Sequence, residues 1–80
     1  MFSVDSDSAI PLSDQLKAGL KDMIARGLLR PGDSVPSARS LAAELKLNPE
    51  MVKRVLYDLS LAGVIESRGD EHYVSQSGGA

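Results

Sequence analysis

Eighty residues, 42% hydrophobic and 25% charged, suit a single folded domain with one modest core. The lack of cysteine excludes a disulfide scaffold and a thiolate metal site and suits a reducing compartment. No apolar run approaches the roughly 20 residues of a membrane span, and the Ser/Asp-rich positions 3 to 8 do not read as a secretory leader. The net charge of −2 weighs against a dedicated nucleic-acid binder, which is more often basic.

Residues 1–10 hold Phe2 and Val4 at alternating positions, the pattern of a short extended segment, against the ordinary fraying of a terminus. Residues 11–26 then read as a helix. Leu12, Leu16, Leu20, Met23 and Ile24 form one apolar stripe, Asp14 suits the N-terminal end and Arg26 the C-terminal end, and Gly27 is the stop. Gly19 inside this helix costs about 1 kcal/mol against alanine, so it marks either a close helix–helix approach or a tolerated weakness. Residues 28–36 are broken by Pro31-Gly32. Leu28, Leu29 and Val35 are expected to pack beneath that turn, with room for a very short strand at 28–30.

Residues 37–62 carry two amphipathic helices. The first opens at Ser37, a side chain suited to capping, and buries Leu41, Ala42 and Leu45. Lys46-Leu47-Asn48 breaks the pattern. Asn48 is a good N-cap and Pro49 fits the first helical position, where no N–H is needed. The second helix buries Val52, Val55, Leu56 and Leu59, ends at Gly63, and turns Glu50, Met51, Lys53, Arg54, Tyr57 and Asp58 outward. Two helices separated by about three residues make a helix-turn-helix, which presents the front of its second helix to the major groove of DNA. Residues 64–75 read as a hairpin: Val64–Ser67, a turn at Arg68–Glu71, and His72–Ser75. The polar, Gly-rich residues 76–80 form a flexible tail.

The fold class expected is mainly α with a small β-hairpin, a winged helix-turn-helix of three helices plus a wing in one domain over residues 1–75. The chain closely resembles the DNA-binding domain of GntR-type bacterial transcriptional regulators. The resemblance rests on Pro11-Leu12, Gln15, Leu20, Ile24, Gly27, Leu29, Pro31-Gly32-Asp33, Pro36-Ser37, Arg39, Leu41-Ala42, Glu44-Leu45, Val52, Leu59, Gly63 and Ile65-Glu66. The opening Phe2-Ser3-Val4-Asp5, Ser8 and the run Leu47-Asn48-Pro49 are similar to the short YtrA-type branch.

The resemblance implies a cytoplasmic, bacterial, sequence-specific transcription regulator, or its isolated DNA-binding domain, that binds operator DNA as a homodimer without a cofactor. The recognition helix would span residues 49–62. The DNA-contacting positions it implies are Ser37, Arg39, Lys46, Asn48, Glu50, Met51, Lys53 and Arg54, with Arg68 on the wing. The chain departs from the family in three places, one being Glu50 and Met51, which stand where small polar residues such as Asn and Thr are common. Asp70 and Glu71 stand at the wing tip where a cation and a glycine are expected, and acids there repel phosphates. Nothing after Ser75 matches the C-terminal region such regulators normally carry. The acidic wing, Met51 and Tyr57 point to an alternative, a winged helix used for protein contacts with weak or lost DNA binding.

Structural alternatives accompany four of the charged candidates. Arg39 could pair with Glu44 or Asp33, Lys53 and Arg54 with Glu50 and Asp58, and Arg68 with Asp70 or Glu71. His72 beside Asp70 and Glu71 offers three donors on one tight hairpin, which rarely converge on one ion, so no metal is expected and His72 reads as a solvent-facing strand residue. A single histidine without a nucleophile at recognisable spacing, and Pro31-Gly32-Asp33 in place of a phosphate loop, argue against an enzyme.

Overall fold

The computed structural model describes residues 2–76. Its elements run α1 (Leu12–Ala25), β1 (Ser34–Val35), α2 (Ala38–Leu45), α3 (Pro49–Leu61), β2 (Ile65–Arg68) and β3 (Glu71–Val74). Three helices followed by a hairpin is the winged-helix order. Most of the expected flexible tail lies outside the described residues.

The helix boundaries follow from local chemistry. Ser37 accepts a bond from the Ser40 N–H at 3.1 Å, and Asn48 accepts one from the Glu50 N–H at 2.8 Å. Each satisfies an amide that its helix leaves without an internal partner. Pro49 follows Asn48 as the first helical residue. Between the two helices Lys46 turns the chain in the left-handed conformation, φ 59°, and its N–H and that of Leu47 both close on Ala42 O. Gly27 and Gly63 lie just past the ends of α1 and α3 with φ of 77° and 78°, the region glycine enters freely.

The apolar stripes meet in one aliphatic core. Leu16 and Leu20 of α1, Leu41, Ala42 and Leu45 of α2, and Val52, Val55, Leu56 and Leu59 of α3 are buried together with Val35, Ile65 and Val74 of the sheet. Each fully buried Leu or Val contributes about 1.5–3 kcal/mol. Leu12, Met23 and Ile24, the outer members of the α1 stripe, are half-buried at its margin.

The sheet has the order β1-β3-β2, both pairs antiparallel. β1 differs from expectation. Residues 28–30 are not a strand: Leu28 and Leu29 donate their N–H groups to Met23 O in the turn that closes α1. Leu29 packs on the core, while Leu28 is 66% exposed. The strand forms instead past Pro31-Gly32, where Val35 pairs with His72 and can be buried.

The wing hairpin pairs Arg68 with Glu71 across the two-residue turn Gly69-Asp70. Gly69 has φ 64° and Asp70 a negative φ, as a type II′ turn requires of its central residues. Alternation sorts the strands into two faces. Ile65, Ser67, His72 and Val74 share the face of buried Val35, and Glu66, Arg68, Glu71 and Tyr73 share the outer one. The solvent-facing reading of His72 is therefore corrected: it is half-buried on the core side, its Nδ1 3.1 Å from Ser67 Oγ.

Gly19 has a third explanation that neither expectation covered. The ring of Phe2 lies over it, and a Cβ there would fall 2.6 Å from Phe2 Cδ1. The N-terminal segment is not a strand. It is pinned through Gln15, whose Oε1 accepts the Asp5 N–H at 2.7 Å and whose Nε2 donates to Asp5 O at 2.9 Å and Ile10 O at 2.8 Å.

Candidate nucleic-acid interface

The surface in question is built by α2, the turn at Lys46 and the front of α3. α2 and α3 pack against each other, and Leu41, Leu45, Val52 and Val55 belong to the core they share. The caps place Ser37, Asn48 and Glu50 at exposed helix starts, and Arg39 sits in the first turn of α2. Of the nine candidate residues, eight lie on α2, α3 or the turns that open them, and Arg68 lies apart on the wing.

Their electrostatic states differ. Arg39 and Lys46 are exposed and make no ion pair among the described residues. The structural alternatives for Arg39 are not realised: neither Glu44 nor Asp33 pairs with it, and the Asp33 carboxylate accepts the Arg30 N–H at 2.9 Å within the Pro31-Gly32 turn. The cations of α3 are neutralised on their own helix. Lys53 Nζ lies 3.5 Å from Glu50 Oε1, and Arg54 Nε lies 3.1 Å from Asp58 Oδ1. These exposed pairs are each worth about 0–1 kcal/mol, so a phosphate can compete for either cation. The outward reading of Met51 is corrected in part: it is half-buried against the core, because it lies one turn before Val55 at the edge of the apolar stripe.

The wing cation is held, but not by the acids at the tip. Arg68 Nη2 lies 3.1 Å from Glu66 Oε2, and its guanidinium stands 4.8 Å from the centre of the Tyr73 ring. Tyr73 in turn donates its hydroxyl to Glu71. That hydrogen bond, reinforced by the negative charge of Glu71, raises the Tyr73 phenol above its usual value of 10.0. The outer face of the wing is thus a chain Glu66–Arg68–Tyr73–Glu71 in which two carboxylates face one cation. Composition hid this partner choice. Strand alternation carries the signal, since residues two apart share a face and residues 68 and 71 are neighbours across the turn. Lys17 of α1 was also missed as a participant: its Nζ lies 3.8 Å from Asp58 Oδ2, so one acid on α3 is shared by two cations.

The profile of bacterial regulatory proteins of the gntR family matches residues 12–71. The transcriptional repressor YtrA of Bacillus subtilis is 33% identical over 78 residues, covering 96% of this chain and 60% of that protein. The chain therefore spans less than two thirds of that relative's length. The structure of YtrA from Sulfolobus acidocaldarius, a GntR-family transcription factor, superposes with a TM-score of 0.85 at 32% identity, over 90% of this chain and 77% of that one. The DNA-binding domain of AraR in complex with operator ORE1 has the same fold, with a TM-score of 0.79 at 20% identity over 90% and 89% of the two chains. The match over residues 12–71 contains α1, the helix-turn-helix and most of the wing, and with the two YtrA proteins it places the chain in the GntR family of bacterial regulatory proteins, on its YtrA-type branch.

Proposed function

We propose that the chain is the operator-binding domain of a YtrA-type transcription regulator, acting in the cytoplasm as part of a homodimer. The observation that carries this reading is the state of α2 and α3 within the family's fold. Both helices open on exposed, side-chain-capped ends, and Arg39 in the first turn of α2 and Lys46 in the turn that follows it are exposed and make no ion pair among the described residues. In a helix-turn-helix these positions meet the duplex, with the second helix in the major groove and the first crossing the backbone. Lys46 then grips phosphate, and Arg39 reaches a phosphate or a guanine edge. Asn48 and Glu50 at the front of α3 reach base edges, a lone carboxylate being suited to accept from the amino group of cytosine. Lys53 and Arg54 exchange their helix partners for phosphates on binding. AraR contributes to this reading only its fold.

Two copies on a two-fold operator place their recognition helices in successive major grooves, about one helical turn apart. Selection of random duplexes at low salt tests the reading: a two-fold consensus is expected, lost or much weakened by Arg39→Ala. Recovery of no sequence preference by the unsubstituted chain would reject it.

A further inference from the structure

The N-terminal segment touches two parts of the fold that otherwise meet little. α1 packs chiefly on α3, and α3 on α2. Phe2 stands on α1 and faces the far end of α2. Its ring lies over Gly19 on α1, and with Ser3 and Val4 it forms one wall of a cleft whose other wall is Glu44, Leu45 and Lys46. Phe2 and Val4 also pack on the core that contains Leu45. The Gln15 side chain accepts from the Asp5 N–H and donates to Asp5 O and Ile10 O, which holds the segment on α1.

Lys46 is the residue this arrangement adjoins. It is the one non-glycine residue with positive φ among the described residues, and it lies in the turn between α2 and α3. A side chain in that conformation stays there only when its surroundings over-determine it. We infer that Phe2, seated on Gly19 and clamped through Gln15, is a positioning residue for Lys46: it holds the turn so that the lysine ammonium meets a phosphate. The inference rests on the DNA-binding reading above and adds to it a segment outside the helix-turn-helix. It also accounts for glycine at position 19, where alanine would favour the helix but displace the ring.

The test is duplex binding by the 80-residue chain, measured from about 50 to about 200 mM salt on random-sequence DNA, where the slope counts phosphate contacts at about 0.9 each. Phe2→Ala is expected to weaken binding roughly fivefold at low salt and to flatten the slope by about 0.9, as Lys46→Ala does. The double variant should bind no worse than Lys46→Ala alone, because both remove one contact. Gly19→Ala, which leaves a good helix, should reproduce the Phe2→Ala loss and add nothing in the Phe2→Ala background. A merely structural Phe2 would lower the melting temperature while leaving the slope of the folded protein unchanged, and that result overturns the inference. So do additive losses from Phe2→Ala and Lys46→Ala. If the unsubstituted chain binds no duplex even at low salt, the DNA reading itself falls and the inference with it. Binding with no response to Phe2→Ala or Gly19→Ala defeats the inference alone.

Discussion

Arg54 and Asp58 are paired one turn apart on α3, Nε to Oδ1 at 3.1 Å, and the other oxygen of Asp58 lies 3.8 Å from Lys17. One acid therefore restrains two cations beside the face proposed to meet DNA. Replacing it with the neutral isostere, Asp58→Asn, frees both. Duplex affinity is expected to rise several-fold and the log–log salt slope to steepen by up to about 0.9 for each cation that reaches a phosphate. Stability should fall by no more than about 1 kcal/mol, because the pairs are partly solvated. Filter binding across a salt series, with a thermal melt as the control, measures both. Unchanged affinity would mean that neither cation approaches the duplex.

The cap at Asn48 gives a prediction on stability. Asn48→Ala removes the acceptor for the Glu50 N–H and should cost about 1 kcal/mol. For a domain of this size that lowers the melting temperature by about 4–8 °C. Asn48→Ser should recover most of the loss in the same calorimetric scan, since serine caps nearly as well.

The wing turn depends on backbone handedness. Gly69 takes φ 64° with open space around its Cα, so Gly69→Ala meets no clash and pays only for the positive φ of the turn's first central position, about 1–3 kcal/mol. Gly69→Asn should cost less, since asparagine follows glycine among the residues that primed turns accept. Denaturant titration of the two variants checks the order. A reversed order would mean that the turn adopts another conformation.

The phenol of Tyr73 supplies a pH signature. Its folded value is raised by the hydrogen bond to Glu71 and by that residue's charge, so the hydrogen bond stabilises the wing fully below the unfolded value near 10 and is lost as pH rises through the higher folded value. An ultraviolet titration should show Tyr73 ionising above 10, and Glu71→Gln should bring it back toward that value. Equal titration of Tyr73 in both proteins would mean that Glu71 does not hold it.

The helices were largely legible in the sequence because their signals are local. Ser37, Asn48-Pro49 and Gly63 mark ends by chemistry that acts within one turn, and the spacing of Leu16, Leu20, Val52, Val55, Leu56 and Leu59 identifies the buried faces directly. What escaped depends on residues far apart in the chain. Phe2 covers Gly19 from outside α1, and β1 forms at Ser34–Val35 because His72 and Tyr73 return to pair with it. Neither partnership has a periodic signature. The candidate interface was legible as a list of positions but not as electrostatic states. Spacing of three or four residues allowed Lys53 and Arg54 their helix partners, and only the folded geometry separates them from Arg39 and Lys46, which have none among the described residues. On the wing, proximity in sequence favoured Asp70 and Glu71 for Arg68, whereas strand alternation delivered Glu66.

The most direct measurement is the affinity of the unsubstituted chain and of Arg39→Ala for a duplex recovered by selection, against the same duplex with its consensus scrambled. The account predicts preferential, salt-sensitive binding to the selected sequence, with Arg39→Ala weakening it by about 1–3 kcal/mol. Equal binding to both duplexes, or no effect of Arg39→Ala, would contradict it.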